Sequence, residues 1–162
     1  MEIERKFIIK KLPEHLEQYE CKVIEQGYLC SMPTVRIRKS NEEYYLTYKS
    51  KFGIAPTDAS VVVSNETEVL LDQFGYEHLK QKIDDHLVKK KRYIIPIDGG
   101  LKIELDVFEG NLKGLMLAEI EFESEEQAIQ FEMLDWFDRD VSNDVRYKNS
   151  YLSKLDGIDE LL

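Results

Sequence analysis

Six segments of the chain carry charge at alternate positions: Glu2-x-Glu4-x-Lys6, Arg36-x-Arg38, Glu66-x-Glu68, Lys90-x-Arg92, Glu104-x-Asp106 and Glu119-x-Glu121. On a β-strand every second side chain shares a face, so each segment would gather its charges on one side and its aliphatic residues on the other. The signs are segregated by segment. Arg36/Arg38 and Lys90/Arg92 are basic, Glu66/Glu68, Glu104/Asp106 and Glu119/Glu121 are acidic, and the first segment combines both. Tyr45, Thr47 and Lys49 share a face in the same way. Like charges on one strand face repel unless something of opposite sign lies between them. Carboxylate oxygens without thiolate or imidazole suit a hard cation such as Mg2+ or Mn2+. Arginine grips phosphate with two donors at once, and lysine adds a point charge. Acidic and basic faces opposed across one lumen would therefore hold a polyphosphate together with divalent cations. The residues alone specify neither which polyphosphate nor a reaction on it.

The elements that must position these groups can be read from periodicity and punctuation. Eight strands are expected: one from Glu2, then Lys22–Cys30, Thr34–Lys39, Tyr44–Lys49, Val61–Val69, about His86–Ile97, Lys102–Val107 and Ala118–Glu123. The turn signals are Pro33, Asn41-Glu42 and Asp98-Gly99-Gly100, with an exposed loop expected over Lys51–Asp58. Three helices are expected. One covers Leu12–Tyr19, with Pro13 near its start, and a second covers Asp72–Ile83. The third starts at the N-cap Ser124, with Gln127 as capping-box partner, and runs to about Phe137. It would bury Ala128, Phe131, Leu134 and Phe137 as a stripe. Val145–Leu152 reads as a short helical or irregular segment and Asp156–Leu162 as a fraying tail.

Closing such a sheet into a barrel with the charged faces inward removes its edges and turns the aliphatic faces outward beneath the helices. The expected fold is α+β: a closed eight-stranded antiparallel β-barrel with helices packed outside, formed by residues 1–162 as a single domain. Ile3, Phe7 and Ile9 should then face outward, and Arg5 interrupts that apolar face without an assigned role.

The chain of 162 residues has a formal net charge of −10 and a sequence pI near 4.9, which argues against non-specific binding to nucleic acid or an anionic membrane. Cys21 and Cys30 form no zinc-type spacing. The start lacks a signal-peptide apolar region and no apolar run approaches spanning length, so a cytoplasmic setting is the expectation. His15, His78 and His86 read as surface or helix positions.

The ordered set of motifs resembles the CYTH superfamily, the triphosphate tunnel metalloenzymes. It runs from Glu2-x-Glu4-x-Lys6 through Gln26-Gly27-Tyr28, Val35-Arg36-Ile37-Arg38, Leu46-Thr47-Tyr48-Lys49 and Glu66-x-Glu68. It continues through Lys90-x-Arg92-Tyr93, Glu104-x-Asp106-x-Phe108-x-Gly110, Ala118-Glu119-Ile120-Glu121-Phe122 and Arg146-Tyr147-x-Asn149-Ser150. Ser64 stands where some members carry Arg, and Asp138 where the bacterial pattern often has Gly. The resemblance implies a tunnel that binds a small-molecule triphosphate with Mg2+ or Mn2+ and hydrolyses it, most simply inorganic tripolyphosphate. Under it, Lys6, Arg36, Arg38, Lys49, Lys90 and Arg92 would hold the triphosphate. Glu2, Glu4, Glu119 and Glu121 would be the main metal ligands and, with Lys6, the catalytic set. Glu66, Glu68, Glu104 and Asp106 would be further ligands or their support. The alternatives are a thiamine or nucleoside triphosphatase, a class IV adenylyl cyclase, and a non-catalytic polyphosphate or nucleotide binding module. Tyr28 is expected to face the lumen, and Arg146 and Lys148 to be surface cations or a gate at the tunnel mouth. A homodimer is compatible with this reading, although no residue marks an interface.

Overall fold

The structure, a computed structural model, describes residues 1–55, 58 and 61–162. Pro56 and Thr57, within the expected 51–58 loop, lie outside the described residues. Nine strands are present among the described residues: β1 (Glu2–Ile9), β2 (Glu20–Ser31), β3 (Thr34–Ser40), β4 (Glu43–Ser50), β5 (Val62–Leu71), β6 (Val88–Pro96), β7 (Lys102–Phe108), β8 (Met116–Phe122) and β9 (Phe137–Asp140). Three α-helices accompany them: α1 (Gln73–Lys80), α2 (Glu125–Gln130) and α3 (Asn149–Leu152). The first eight strands form an antiparallel barrel in the circular order β1, β8, β7, β6, β2, β3, β4, β5. Pairing of Glu2, Ile3 and Glu4 with Ser64, Val63 and Val62 closes it. The same edge of β1 pairs at its far end with β9, the one strand beyond the barrel.

The apolar residues lie outside the barrel wall, as the alternation requires. Phe7, Ile9, Ile103, Leu105, Ile120 and Phe122 from β1, β7 and β8 pack with Ala128 and Phe137 into one core. A second core joins Val88, Phe108 and Leu117 to Val141, Tyr147, Leu152, Leu155 and Leu161 of the C-terminal segment. The expected fraying tail is therefore fastened: Leu161 is buried, and the Tyr147 hydroxyl donates to its carbonyl at 3.3 Å. Gly27 permits another close layer, because a Cβ there would lie 2.7 Å from Ile83 Cγ2 of the segment crossing β2.

Two helix expectations fail for local reasons. His15 adopts a left-handed backbone (φ 58°), and only Leu16–Gln18 forms a 3-10 turn in place of a helix over 12–19. The third helix begins as expected, with Ser124 Oγ accepting from the Gln127 N–H at 3.1 Å. It stops at Gln130 because one guanidinium nitrogen of Arg5 takes the carbonyls of both Ala128 and Phe131, each at 2.8 Å. A continuing helix would need the Ala128 carbonyl for itself. The chain turns back as β9, so Ala128, Phe131, Leu134 and Phe137 still meet in one core although they do not share a helix.

Candidate active site

The inward faces of the strands enclose a cavity of about 780 Å3. Going round the barrel, β7, β8, β1 and β5 are consecutive and carry Glu104/Asp106, Glu119/Glu121, Glu2/Glu4/Lys6 and Glu66/Glu68. The other four consecutive strands, β4, β3, β2 and β6, carry Lys49, Arg36/Arg38, Gln26/Tyr28 and Lys90/Arg92. Strand order thus converts segments of alternating sign into one acidic and one basic half.

Register decides how well each half is neutralised. On the acidic side Glu4 lies opposite Glu121, and Glu104 lies opposite Glu119. Directly opposed like charges destabilise a sheet unless a cation separates them. Lys49 reaches across from β4 to form ion pairs with Glu2 and with Glu4, the latter at 3.2 Å. Lys6 Nζ lies 3.6 Å from Glu119 Oε1 and donates to the Tyr147 carbonyl at 2.9 Å. These lysines do not suffice for the whole wall. Burial, and then the charge of Glu119, push the Glu4 carboxyl up to about 7. Glu2 is raised by burial and its hydrogen bond with Glu66, and Glu121 by burial and the nearby Glu2. Burial also acts to raise Glu119, but Lys6, Arg92, Lys90 and Lys49 together hold it well below the usual carboxylate range.

The basic half has the converse shortage. Arg38 donates through Nε to Gln26 Oε1 at 2.9 Å, and the Gln26 amide in turn donates to the Tyr28 hydroxyl. Among the described residues no carboxylate pairs with Arg38. Burial, and then Arg36 and Arg92, depress its pKa to about 9, so it stays charged at neutral pH. Arg36 Nη2 donates to Thr47 Oγ1 at 3.1 Å and stands 3.8 Å from Glu66 and Glu68 oxygens, while its buried Nε lacks a hydrogen-bond partner. Ser64 Oγ is another buried polar atom without a partner on the cavity wall.

The structure brings most of the expected site residues to the cavity: Glu2, Glu4, Lys6, Arg36, Arg38, Lys49, Glu66, Glu68, Arg92, Glu104, Glu119 and Glu121, with Tyr28 as anticipated. Lys90 and Asp106 are placed differently. Both share the inward face with Arg92 and Glu104 but are fully buried and do not line the cavity, and Lys90 donates to Asp106 at 2.7 Å. Asp106 also receives Nε and Nη2 of Arg92, at 2.7 and 2.8 Å, while Arg92 Nη1 donates to Glu104 at 2.9 Å. With one carboxylate shared between two cations, burial and the nearby Arg92 and Arg38 charges lower Lys90 to about 7. Arg146 pairs with Asp144 at 2.7 Å and is not at the cavity, whereas Lys148 is. Thr47, two residues before Lys49, carries the missed link between Arg36 and Glu68; period-two alternation marks it. Asn149, which accepts from Lys90 at 3.3 Å, opens the one-turn α3, a helix too short for a periodic signal, and only the Arg146-Tyr147-x-Asn149-Ser150 motif marks it in the sequence.

Carboxylates crowded on one wall and guanidiniums short of anions on the other are the electrostatic complement of an oligophosphate bound with a metal cation. The donor set, all carboxylate oxygen, fits a hard divalent ion. Among the described residues no three carboxylates already converge on one point, so Glu2 and Glu4 would exchange Lys49 for the cation. The chain belongs to the CYTH domain family, whose model matches residues 1–148. That membership implies a divalent metal.

The chain is 36% identical over 156 residues to the inorganic triphosphatase of Nitrosomonas europaea, covering 94% of this chain and 96% of that protein. It is 34% identical to the inorganic triphosphatase of Acetivibrio thermocellus, covering 94% and 93%. The crystal structure of the inorganic triphosphatase NE1496 superposes with a TM-score of 0.68 at 35% identity, covering 94% of each chain. A Hippeastrum protein described as a putative adenylyl cyclase with a dominant triphosphatase activity shares the fold at a TM-score of 0.59 and 20% identity, with 80% of this chain and 83% of that one covered. Among the described residues no helix is long and apolar enough to cross a membrane.

Proposed function

We propose that this protein is a divalent-metal-dependent triphosphatase that hydrolyses inorganic tripolyphosphate to pyrophosphate and phosphate, using Mg2+ or Mn2+. The observation that carries this reading is the two-sided charge mismatch: Arg38 without a carboxylate, and Glu4 raised to about 7 against Glu119. The similarity to two inorganic triphosphatases over nearly the whole chain supports the same substrate.

Arg36, Arg38, Lys6, Lys49 and Arg92 hold the triphosphate, and their charges stabilise the negative charge on the transferred and leaving phosphoryl oxygens. Glu2, Glu4, Glu119 and Glu121 are the primary ligands for the metal, with Glu66, Glu68 and Glu104 at the edge of the same wall. A bound divalent ion supplies charge neutralisation at the phosphoryl oxygens and makes the attacking water easier to deprotonate. A carboxylate of the same wall that does not hold the metal would orient that water and accept its proton. Lys90 and Asp106, buried and away from the cavity surface, act by fixing Arg92.

The test is phosphate release from tripolyphosphate, thiamine triphosphate and ATP, with Mg2+ and Mn2+ compared. Tripolyphosphate should be the best substrate, and Glu4→Ala or Glu119→Ala should abolish turnover in a folded protein. Cyclic AMP and pyrophosphate from ATP would overturn the reading in favour of a cyclase. Tight tripolyphosphate binding without phosphate release under every metal would leave a binding module.

A further inference from the structure

Arg5 lies between Glu4 and Lys6 in sequence but on the opposite face of β1, where it is buried and takes no part in the cavity. Its contacts nonetheless converge on the backbone that supports Lys6. Besides the two carbonyls at the end of α2, its guanidinium donates to Asp140 Oδ2 from Nε at 3.1 Å and from Nη2 at 2.7 Å. The other oxygen of that carboxylate, Oδ1, accepts the Ser142 N–H at 2.8 Å. Ser142 Oγ accepts the Lys6 N–H at 2.9 Å, and the Val141 N–H donates to the Lys6 carbonyl at 2.9 Å. One carboxylate, with 29% of its side chain exposed, therefore joins the buried Arg5 of β1 to the start of the segment that straps Lys6 from both sides.

That segment continues to the cavity. Five residues beyond Ser142, the Tyr147 carbonyl accepts Lys6 Nζ; Lys148 and Asn149 follow at the cavity wall, and Asn149 bonds Lys90. The side chain of Lys6, its main chain and the 147–149 wall all depend on where residues 141 and 142 are placed. Two guanidinium donors on Oδ2 and a main-chain donor on Oδ1 suit such placement, because together they fix the orientation of the carboxylate as well as its distance.

We propose that Asp140, held by Arg5, is a positioning residue for the phosphate-binding side of the site. It acts through Ser142 on Lys6 and through the 141–149 strap on the wall that contains Lys148 and Asn149. The proposal rests on the reading above that Lys6 binds phosphate and that Glu2, Glu4, Glu119 and Glu121 bind metal. It separates the two sets: loosening the strap should weaken triphosphate binding and leave metal binding in place.

The experiment compares wild type with Asp140→Asn, Asp140→Glu and Ser142→Ala in three measurements: steady-state kinetics, calorimetric binding of tripolyphosphate to the metal-free protein, and amide hydrogen exchange. Asp140→Asn should raise KM for tripolyphosphate about ten-fold, the scale of a lost hydrogen bond to a charged group. In that variant kcat should fall as well, because Lys6 also meets the charge of the transition state, while the half-saturating Mg2+ concentration should change by less than about two-fold, since the metal contacts are kept. Exchange should quicken over residues 141–149, and calorimetric affinity should fall with KM. Asp140→Glu, which keeps the charge, should recover most of the affinity. Ser142→Ala should move KM in the same direction by a smaller factor, and it decides the matter if Asp140→Asn fails to fold. Unchanged KM and affinity despite faster exchange, or equal loss of metal binding, would overturn the proposal. A wild type that binds tripolyphosphate without releasing phosphate would overturn the hydrolytic reading alone, because the binding and exchange measurements still judge the strap. If the wild type does not bind tripolyphosphate, both fail.

Discussion

The Lys90–Arg92–Asp106 cluster and the Glu2–Glu4–Glu121 wall come from strands with the same alternating pattern, yet register makes them opposites. Across β6 and β7, Arg92 lies directly opposite Asp106, so the sheet itself supplies that arginine with a counterion, which Lys90 shares. Across β1 and β8, Glu4 lies directly opposite Glu121, so the strand pair creates a repulsion that Lys49, from β4, relieves only in part. In the first region Asp106 and Lys90 are sealed at 0% exposure and only Arg92 reaches the cavity; the second borders the cavity throughout and holds its carboxyl groups above their ordinary range. A matched cluster shapes the lumen, whereas a mismatched one selects what enters it. The sharpest way to break the comparison is Asp106→Ala, which leaves Arg92 and Lys90 buried without their shared anion. It should cost about 3–5 kcal/mol of stability, the scale for removing one partner of a buried pair. Denaturant unfolding checks this, and a variant as stable as wild type would show the cluster to be no closure at all.

The mismatched side gives the next effect. Arg38 faces the cavity with Gln26 as its hydrogen-bond acceptor, so Arg38→Ala strands no buried carboxylate and should leave unfolding nearly unchanged. Its loss should instead appear in kcat/KM for tripolyphosphate, by about 10²–10³-fold, as for removal of one preorganised donor to a developing charge. A large loss of stability with little loss of kcat/KM would move Arg38 from the ligand side of the comparison to the structural side.

Much of this was legible before any coordinates because a barrel wall leaves a period-two signature in every strand. Glu104, Glu119 and Arg36 lie at the cavity for the same reason that Ile103, Ile120 and Ile37 are buried outside it. What alternation cannot carry is the pairing across strands. Lys90 and Asp106 have the same local pattern as Arg36 and Glu104, and only the register that sets Asp106 opposite Arg92, within reach of the Lys90 side chain, tells them apart. The irregular parts were hidden for a related reason. Ala128, Phe131, Leu134 and Phe137 have helical spacing, but α2 ends where Arg5, more than a hundred residues earlier, takes its carbonyls. Asp140 ends the four-residue β9, and Ser142 and Asn149 follow in turns and in the one-turn α3, elements too short for a periodic signal, so the contacts they make appear only once β9 is laid against β1.

The smallest expected effect is a difference in the sign of the pH dependence. Burial acts to raise Asp106, but Arg92 and Lys90 hold it below its ordinary value, so its contribution is present above that value and is lost as pH falls through the depressed one. Glu4 behaves in the reverse sense. Raised to about 7 by burial and by Glu119, it keeps its proton in the folded state over a range where the unfolded chain has released it. Between about 4.5 and 7 the folded state binds the extra proton, so this group makes stability fall as pH rises. In metal-free protein, Glu4→Gln should remove that decline and leave the acid limb governed by Asp106 intact. The difference should be on the order of 1 kcal/mol across the window, since each pKa unit corresponds to about 1.4 kcal/mol and neighbouring groups share the titration. Urea unfolding of both proteins at a series of pH values, repeated with saturating Mg2+, measures it. The cation should abolish the decline in wild type by taking the place of the proton between Glu4 and its acidic neighbours. Parallel pH profiles for wild type and Glu4→Gln would mean that the β1–β8 wall is already neutralised by Lys6 and Lys49, and the contrast with the sealed cluster would then be one of exposure alone.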